Sequence, residues 1–149
     1  MNLLSQILNN NIQYFHQERY NLVMDLVEER LHSLVAFNWR HERDALIKLA
    51  EKKNMTYALI DGSIPAPKRK NIIQRFQAGH MKVLFAHPQS ASHGLTLTKA
   101  TACIWCSPTY NAEHFQQFNR RIHRAGQTRK TEMKAKRLKK SSPPLAGLR

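Results

Sequence analysis

The chain has 149 residues, enough for one domain with its own core and no need of disulfide or metal staples. A hydrophobic content of 42% and a formal charge of +14 describe a water-soluble chain biased toward anionic partners, nucleic acid or nucleotides above all. No apolar run nears the ~20 residues that span a bilayer, and MNLLSQILNNNIQ has neither a basic start nor a small-residue cleavage site, so no membrane partner and a cytoplasmic location are expected.

The charge is uneven. Residues 1–118 carry 13 Lys and Arg against 9 Asp and Glu, whereas residues 119–149 carry 11 against 1. The basicity belongs to the C-terminal fifth.

Residues 3–30 predict helix, because Leu3, Leu4, Ile7 and Leu8, then Leu22, Val23, Leu26 and Val27, recur at three-to-four spacing. The triplet Asn9-Asn10-Asn11 is expected to break it into two pieces. SLVAF (33–37) reads as a buried strand, ERDALIKLAEKK (42–53) as an amphipathic helix with Ala45, Leu46, Leu49 and Ala50 inward, and TYALI (56–60) as a second strand. Asp61-Gly62-Ser63 marks a turn. Pro67 opens a helix to about Phe76, closed by Ala78-Gly79-His80. Next come the strand MKVLFA (81–86), the loop HPQSASHGLTLTKA, the strand TACIWC and a helix from Asn111 to Arg124.

This alternation predicts a three-layer α/β domain with a mainly parallel sheet flanked by helices. Ligands of such sheets bind beyond the carboxyl ends of the strands, which points to the loops after Phe37, Ile60, Ala86 and Cys106.

Cys103 and Cys106 form a C-x-x-C pair. Three apart on a strand, they point to opposite faces and have no second ligand pair, so packing is expected rather than metal or redox chemistry. His87, His93, His114 and His123 lack metal-ligand spacing. Trp39 and Trp105 both read as packing residues.

The stretch QQFNRRIHRAGQ (116–127) carries the chemistry. On a helix, Gln117, Arg121 and Arg124 fall at i, i+4 and i+7, so an amide and two guanidinium groups share one face. Guanidinium binds phosphate oxygens as a bidentate fork and can stabilise charge on a transferring phosphoryl group. Upstream, Gly94 lies in a small-residue loop where backbone N–H groups could approach a ligand. Beyond Gln127, seven Lys and Arg in residues 129–140 and then Ser-Ser-Pro-Pro predict disorder.

The order HPQSASHGLTL, TACIWCSPTYNAEHFQQFNRRIHRAGQ resembles motifs V and VI of Swi/Snf-type superfamily 2 helicases, especially short phage and bacterial members. The family pattern is close to S-A-G-x-G-L-N-L, a strand ending in an aromatic residue, and Q-x-x-x-R-x-H-R-x-G-Q. LVAFNWRHERDAL and LIDGS resemble the upstream strand, helix and turn of the same lobe, so the likeness covers residues 16–127.

The resemblance implies the second RecA-like lobe of a DNA-dependent ATPase motor, with a helical lead-in at residues 1–30, the lobe at 31–127 and a basic tail at 128–149. By position, Arg121 and Arg124 would meet ATP phosphates across an interlobe cleft, one of them as arginine finger, with Gln117 aligning them. Ser90, Ser92, Gly94 and Thr96 would touch nucleotide and the DNA backbone, and Asn38, Trp39 and Arg40 would lie on the DNA-facing side.

Three departures stand out. Ser92 replaces a usual glycine and Thr96 a usual asparagine. The sequence has no G-x-x-x-x-G-K-S/T loop and no D-E-x-H box, so the principal ligands of ATP and Mg²⁺ would belong to a partner first lobe, and this chain alone is expected to be inactive. TRKTE runs into MKAKRLKKSSPP where relatives continue into an apolar strand, which suggests truncation and an open sheet edge. The competing readings are a stand-alone basic module that binds DNA, RNA or a helicase, and a nonfunctional gene remnant.

Overall fold

The computed structural model describes residues 2–90, 97–107, 113, 116, 120 and 132–135. The chain runs α1 (Leu3–Glu28), β1 (Ser33–Ala36), α2 (Arg40–Lys52), β2 (Tyr57–Ile60), α3 (Ala66–Gln77), β3 (Val83–Ala86), β4 (Ala102–Trp105) and β5 (Glu132–Ala135). All strands pair in parallel, in the order β2-β3-β1-β4-β5. β1 is central, with Val35 level with Phe85 on one side and Ile104 on the other.

Strand alternation divides the core between the two sheet faces. On one face Leu34, Leu84, Cys103 and Trp105 pack with Phe76, Ile72 and Ile73 of α3. On the other, Val35, Phe85, Ile104 and Cys106 meet Val23, Met24 and Val27 of α1 and Leu46 and Ala50 of α2. This is the three-layer architecture that the alternation predicts. The two cysteines lie buried on opposite faces, and burial pushes the Cys103 thiol well above its ordinary pKa.

Two helix ends follow from local sequence. Asn54, at φ 55, adopts the left-handed conformation beyond α2, and the Met55 N–H returns to the Ala50 carbonyl at 2.9 Å. Gly79, at φ 85, does the same for α3, with the His80 N–H on the Arg75 carbonyl at 3.1 Å. A Cβ on Gly79 would also lie 3.2 Å from Lys99 Cε, so two constraints favour glycine there.

The structure corrects three expectations. α1 is one helix through Asn9-Asn10-Asn11. Asparagine costs well under ~1 kcal/mol per helical position, and the start signal lies at Asn2, whose Oδ1 accepts the Ser5 N–H at 2.8 Å. Second, the expected disorder does not extend to Glu132–Ala135, which pair with β4, Ala102 level with Glu132 and Trp105 with Ala135; the rest of 128–149 lies outside the described residues. EMKA has no apolar alternation, but a ladder needs only main-chain donors and acceptors, which the edge of β4 supplies. Third, Trp39 is 60% exposed, whereas Trp105 is 1% exposed and packs in the core as expected.

Candidate functional site

The carboxyl ends of β1, β2 and β3 open into a crevice of about 390 Å³. Phe37, Asn38, Arg40 and Arg43 line it from β1 and α2, Asp61, Gly62 and Ser63 from the β2 turn, and His87, Gln89 and Ser90 from the loop after β3. This is where a parallel sheet with crossover helices places a ligand.

Its rim is built around a buried acid. Glu42 is fully buried, and its Oε1 accepts the Asn38 N–H at 2.9 Å, the Trp39 N–H at 3.2 Å and the Ser107 hydroxyl at 3.1 Å. Asn38 Nδ2 donates to the Ser107 carbonyl at 3.3 Å and its Oγ at 3.1 Å, so the exits of β1 and β4 are tied together. Arg19 of α1 brings its guanidinium to 3.7 Å from Glu42 Oε2, which has no hydrogen-bond partner. Glu42 is the third residue of α2 and reaches back to the N–H of the capping residue Trp39, one half of a capping box. An indole cannot accept the reciprocal bond.

A second network shapes the floor. Arg43 Nη1 lies 2.8 Å from Asp61 Oδ2 and Arg43 Nη2 lies 2.9 Å from Asp44 Oδ1. Asp61 Oδ1 accepts both the N–H and the hydroxyl of Ser63. Burial raises the Asp61 pKa, but the bonds from Ser63 and Arg43 more than offset this and hold it below the ordinary carboxylate value. The hydrogen bonds that Arg43 donates, to Asp61 first and to Asp44 second, raise its own pKa.

Among the proposed site residues, Asn38, Arg40 and Ser90 therefore share one crevice. The Asn38 amide is committed to Ser107, Ser90 donates its N–H to the His87 carbonyl at 3.0 Å, and Arg40 is exposed. Arg40 makes no ion pair among the described residues. Ser92, Gly94, Thr96, Gln117, Arg121 and Arg124 lie outside the described residues. In the preceding segment Glu113 and Gln116 are helical, and the Arg120 N–H donates to the Gln116 carbonyl at 3.0 Å.

The crevice does not fit Mg²⁺. Both Asp61 oxygens are occupied, Glu42 is buried, and among the described residues no three His, Cys, Asp or Glu side chains converge to hold a metal ion. Sequence reading missed Glu42, Ser107 and the Arg43–Asp61 pair. The signal available for Glu42 was its place as a carboxylate three residues into a helix that follows a buried strand.

Residues 18–126 match the profile of the helicase conserved C-terminal domain. The chain belongs to this family. This helicase C-terminal domain is 31% identical over 116 residues to Protein CHROMATIN REMODELING 24 of Arabidopsis thaliana, covering 74% of this chain and 11% of that protein. It is 35% identical over 72 residues to the DNA annealing helicase and endonuclease ZRANB3 of Bos taurus, covering 48% of this chain and 7% of that protein. The crystal structure of the C-terminal part of the Fun30 ATPase domain superposes with a TM-score of 0.73 at 18% identity, covering 78% of this chain and 40% of that one. The lobe is thus the C-terminal, RecA-like lobe of a Swi/Snf-type superfamily 2 helicase. Among the described residues no helix is long and apolar enough to cross a membrane.

Proposed function

We propose that this lobe is the second half of a cytoplasmic, DNA-dependent ATPase motor. The nucleotide sits between it and a first lobe that carries the phosphate-binding loop and holds Mg²⁺. Arg121 and Arg124 offer guanidinium groups to the phosphates, one as arginine finger, and Gln117 aligns them. The crevice, with Arg40 and Ser90 in its lining, tracks the DNA backbone, and Ser92, Gly94 and Thr96, which follow Ser90 in the sequence, touch nucleotide and DNA backbone.

The supporting observation is that the family match extends to residue 126 and so spans Gln117, Arg121 and Arg124. Bound ATP supplies the transferable phosphoryl group; this chain supplies positive charge and orientation. On its own it lacks the groups that grip the β-phosphate, and it is inactive.

The test is a DNA-stimulated ATPase assay of the full chain with and without the purified first lobe of a related helicase. Activity is expected only in the mixture and falls by about 10³-fold or more in Arg124→Ala or Arg121→Ala, whichever is the finger. Hydrolysis by the chain alone at an ordinary rate, lost in Arg124→Ala, would refute the half-motor reading.

A further inference from the structure

α1 is 26 residues long, and the lobe's core takes up Tyr20, Val23, Met24 and Val27 from its C-terminal half. Its N-terminal half carries five of the seven large exposed hydrophobics among the described residues, Leu3, Leu4, Ile7, Leu8 and Tyr14. The two groups do not share a face. Leu3, Leu4 and Ile7 precede Val23, Met24 and Val27 by 20 residues each, which is about five and a half turns at 3.6 residues per turn. The exposed stripe therefore points away from the sheet that the buried stripe meets, and the lobe's own core, continued along the helix, would not cover it.

A helical stretch of about 12 residues without tertiary packing is marginal in water, and Asn9-Asn10-Asn11 lowers its propensity further. Covering the stripe supplies what local propensity does not. The surroundings of the stripe say what covers it. Residues 2–17 contain no Asp, Glu, Lys or Arg, in a chain of formal charge +14. The polar residues interleaved with the stripe are mostly Asn and Gln, whose amides both donate and accept, so a copy of the same surface satisfies them. A charged partner would find no counter-charge here, whereas two identical copies meet with no like-charge contact. The five side chains, each 41–71% exposed, offer on the order of 500 Å² of apolar surface, so a two-fold pair buries about 1,000 Å², the lower limit of a specific interface.

We propose that the N-terminal half of α1 is a self-association surface, along which two copies of this chain form a weak two-fold dimer. The dimer does not depend on the ATP or DNA contacts of the proposed function.

Sedimentation equilibrium of the full chain, freed of nucleic acid and followed over a range of concentrations, tests this. The average mass is expected to rise from 17.3 kDa toward twice that value, with a Kd of about 10–100 μM, the weak end for a patch of this size. Added salt strengthens the pairing, because it screens the repulsion between two basic copies and leaves the apolar contact intact. Bridging by nucleic acid runs the other way. Leu4→Gln combined with Leu8→Gln weakens the dimer by about 100-fold or more, since four leucine side chains lose their burial. Both leucines are exposed, so at concentrations where the native chain is monomeric the variant keeps its urea midpoint. Leu31→Gln, equally exposed but beyond the end of α1, leaves dimerisation unchanged.

A mass of 17.3 kDa at every concentration overturns the proposal, as does a dimer indifferent to the double substitution. Dimers that dissolve as salt rises are held by nucleic acid and overturn it too. If the chain stays monomeric but binds a helicase first lobe, and the double substitution abolishes that binding, the stripe belongs to the first lobe and the proposal falls.

Discussion

Replacing Glu42 with alanine removes the acceptor for two backbone N–H groups and the Ser107 hydroxyl, which lie 2.9, 3.2 and 3.1 Å from its Oε1. Hydrogen bonds to a charged acceptor contribute about 1.5–3 kcal/mol each, but three on one oxygen are not additive. Losing the cap of α2 accounts for about 1 kcal/mol of the total. Against this, removing a buried carboxylate whose Oε2 has only Arg19, at 3.7 Å, relieves some desolvation cost. The net destabilisation is expected near 3 kcal/mol, or about 6–12 °C in Tm for a domain of this size. Glu42→Gln leaves an oxygen acceptor in place and should cost only about 1 kcal/mol. Urea unfolding followed by the emission of buried Trp105 measures both, at unchanged m-value. A loss under about 1 kcal/mol for alanine would refute the argument. So would equal losses for alanine and glutamine, which would assign the effect to charge alone.

Two more outcomes follow from the same structure. Asp61 is held below its ordinary pKa of 3.8, so its contribution is complete above that pH and is lost as pH falls through the lower folded-state value. The stability difference between wild type and Asp61→Asn, about 1 kcal/mol at neutral pH, should stay level down to about pH 5 and shrink below about pH 4; a difference unchanged at pH 2 would count against it. A chain ending at residue 127 lacks β5 and should lose about 2–3 kcal/mol and scatter light on concentration, while one ending at residue 138 keeps the strand. Identical urea midpoints would show that β5 adds nothing.

The elements that sequence resolves are those whose side chains carry the pattern. β1, β3 and β4 are buried along their whole length and appear as short apolar runs, and α2 and α3 as 3.6-residue periods with turn residues at their ends. The period of two also places Cys103 and Cys106 on opposite faces. β5 does not appear in the text because EMKA pairs through its backbone, and its reason for being a strand lies on β4. Asn9-Asn10-Asn11 misleads because a run of mild penalties resembles a break, although no Gly or Pro is present. At the crevice, the rule for loops after parallel strands locates Asn38, Arg40 and Ser90. It does not reveal that Glu42 turns inward while Trp39 turns outward, because the exposure of a loop aromatic depends on what the next helical turn anchors.

The strand order also dictates how the domain comes off the ribosome. β1 and β2 are never neighbours, since β3 lies between them, so the emerging chain has no strand to pair until residues 83–86 arrive. At ~5–20 residues per second β1 waits roughly 3–10 seconds, with one apolar face left to α1 and α2 and the other to α3, the helices made before β3. Completion comes later still, when residues 132–135 seat against β4. A nascent chain that stops early exposes the same edge that a finished one covers, which gives chaperones and proteases a backbone signature of unfinished synthesis.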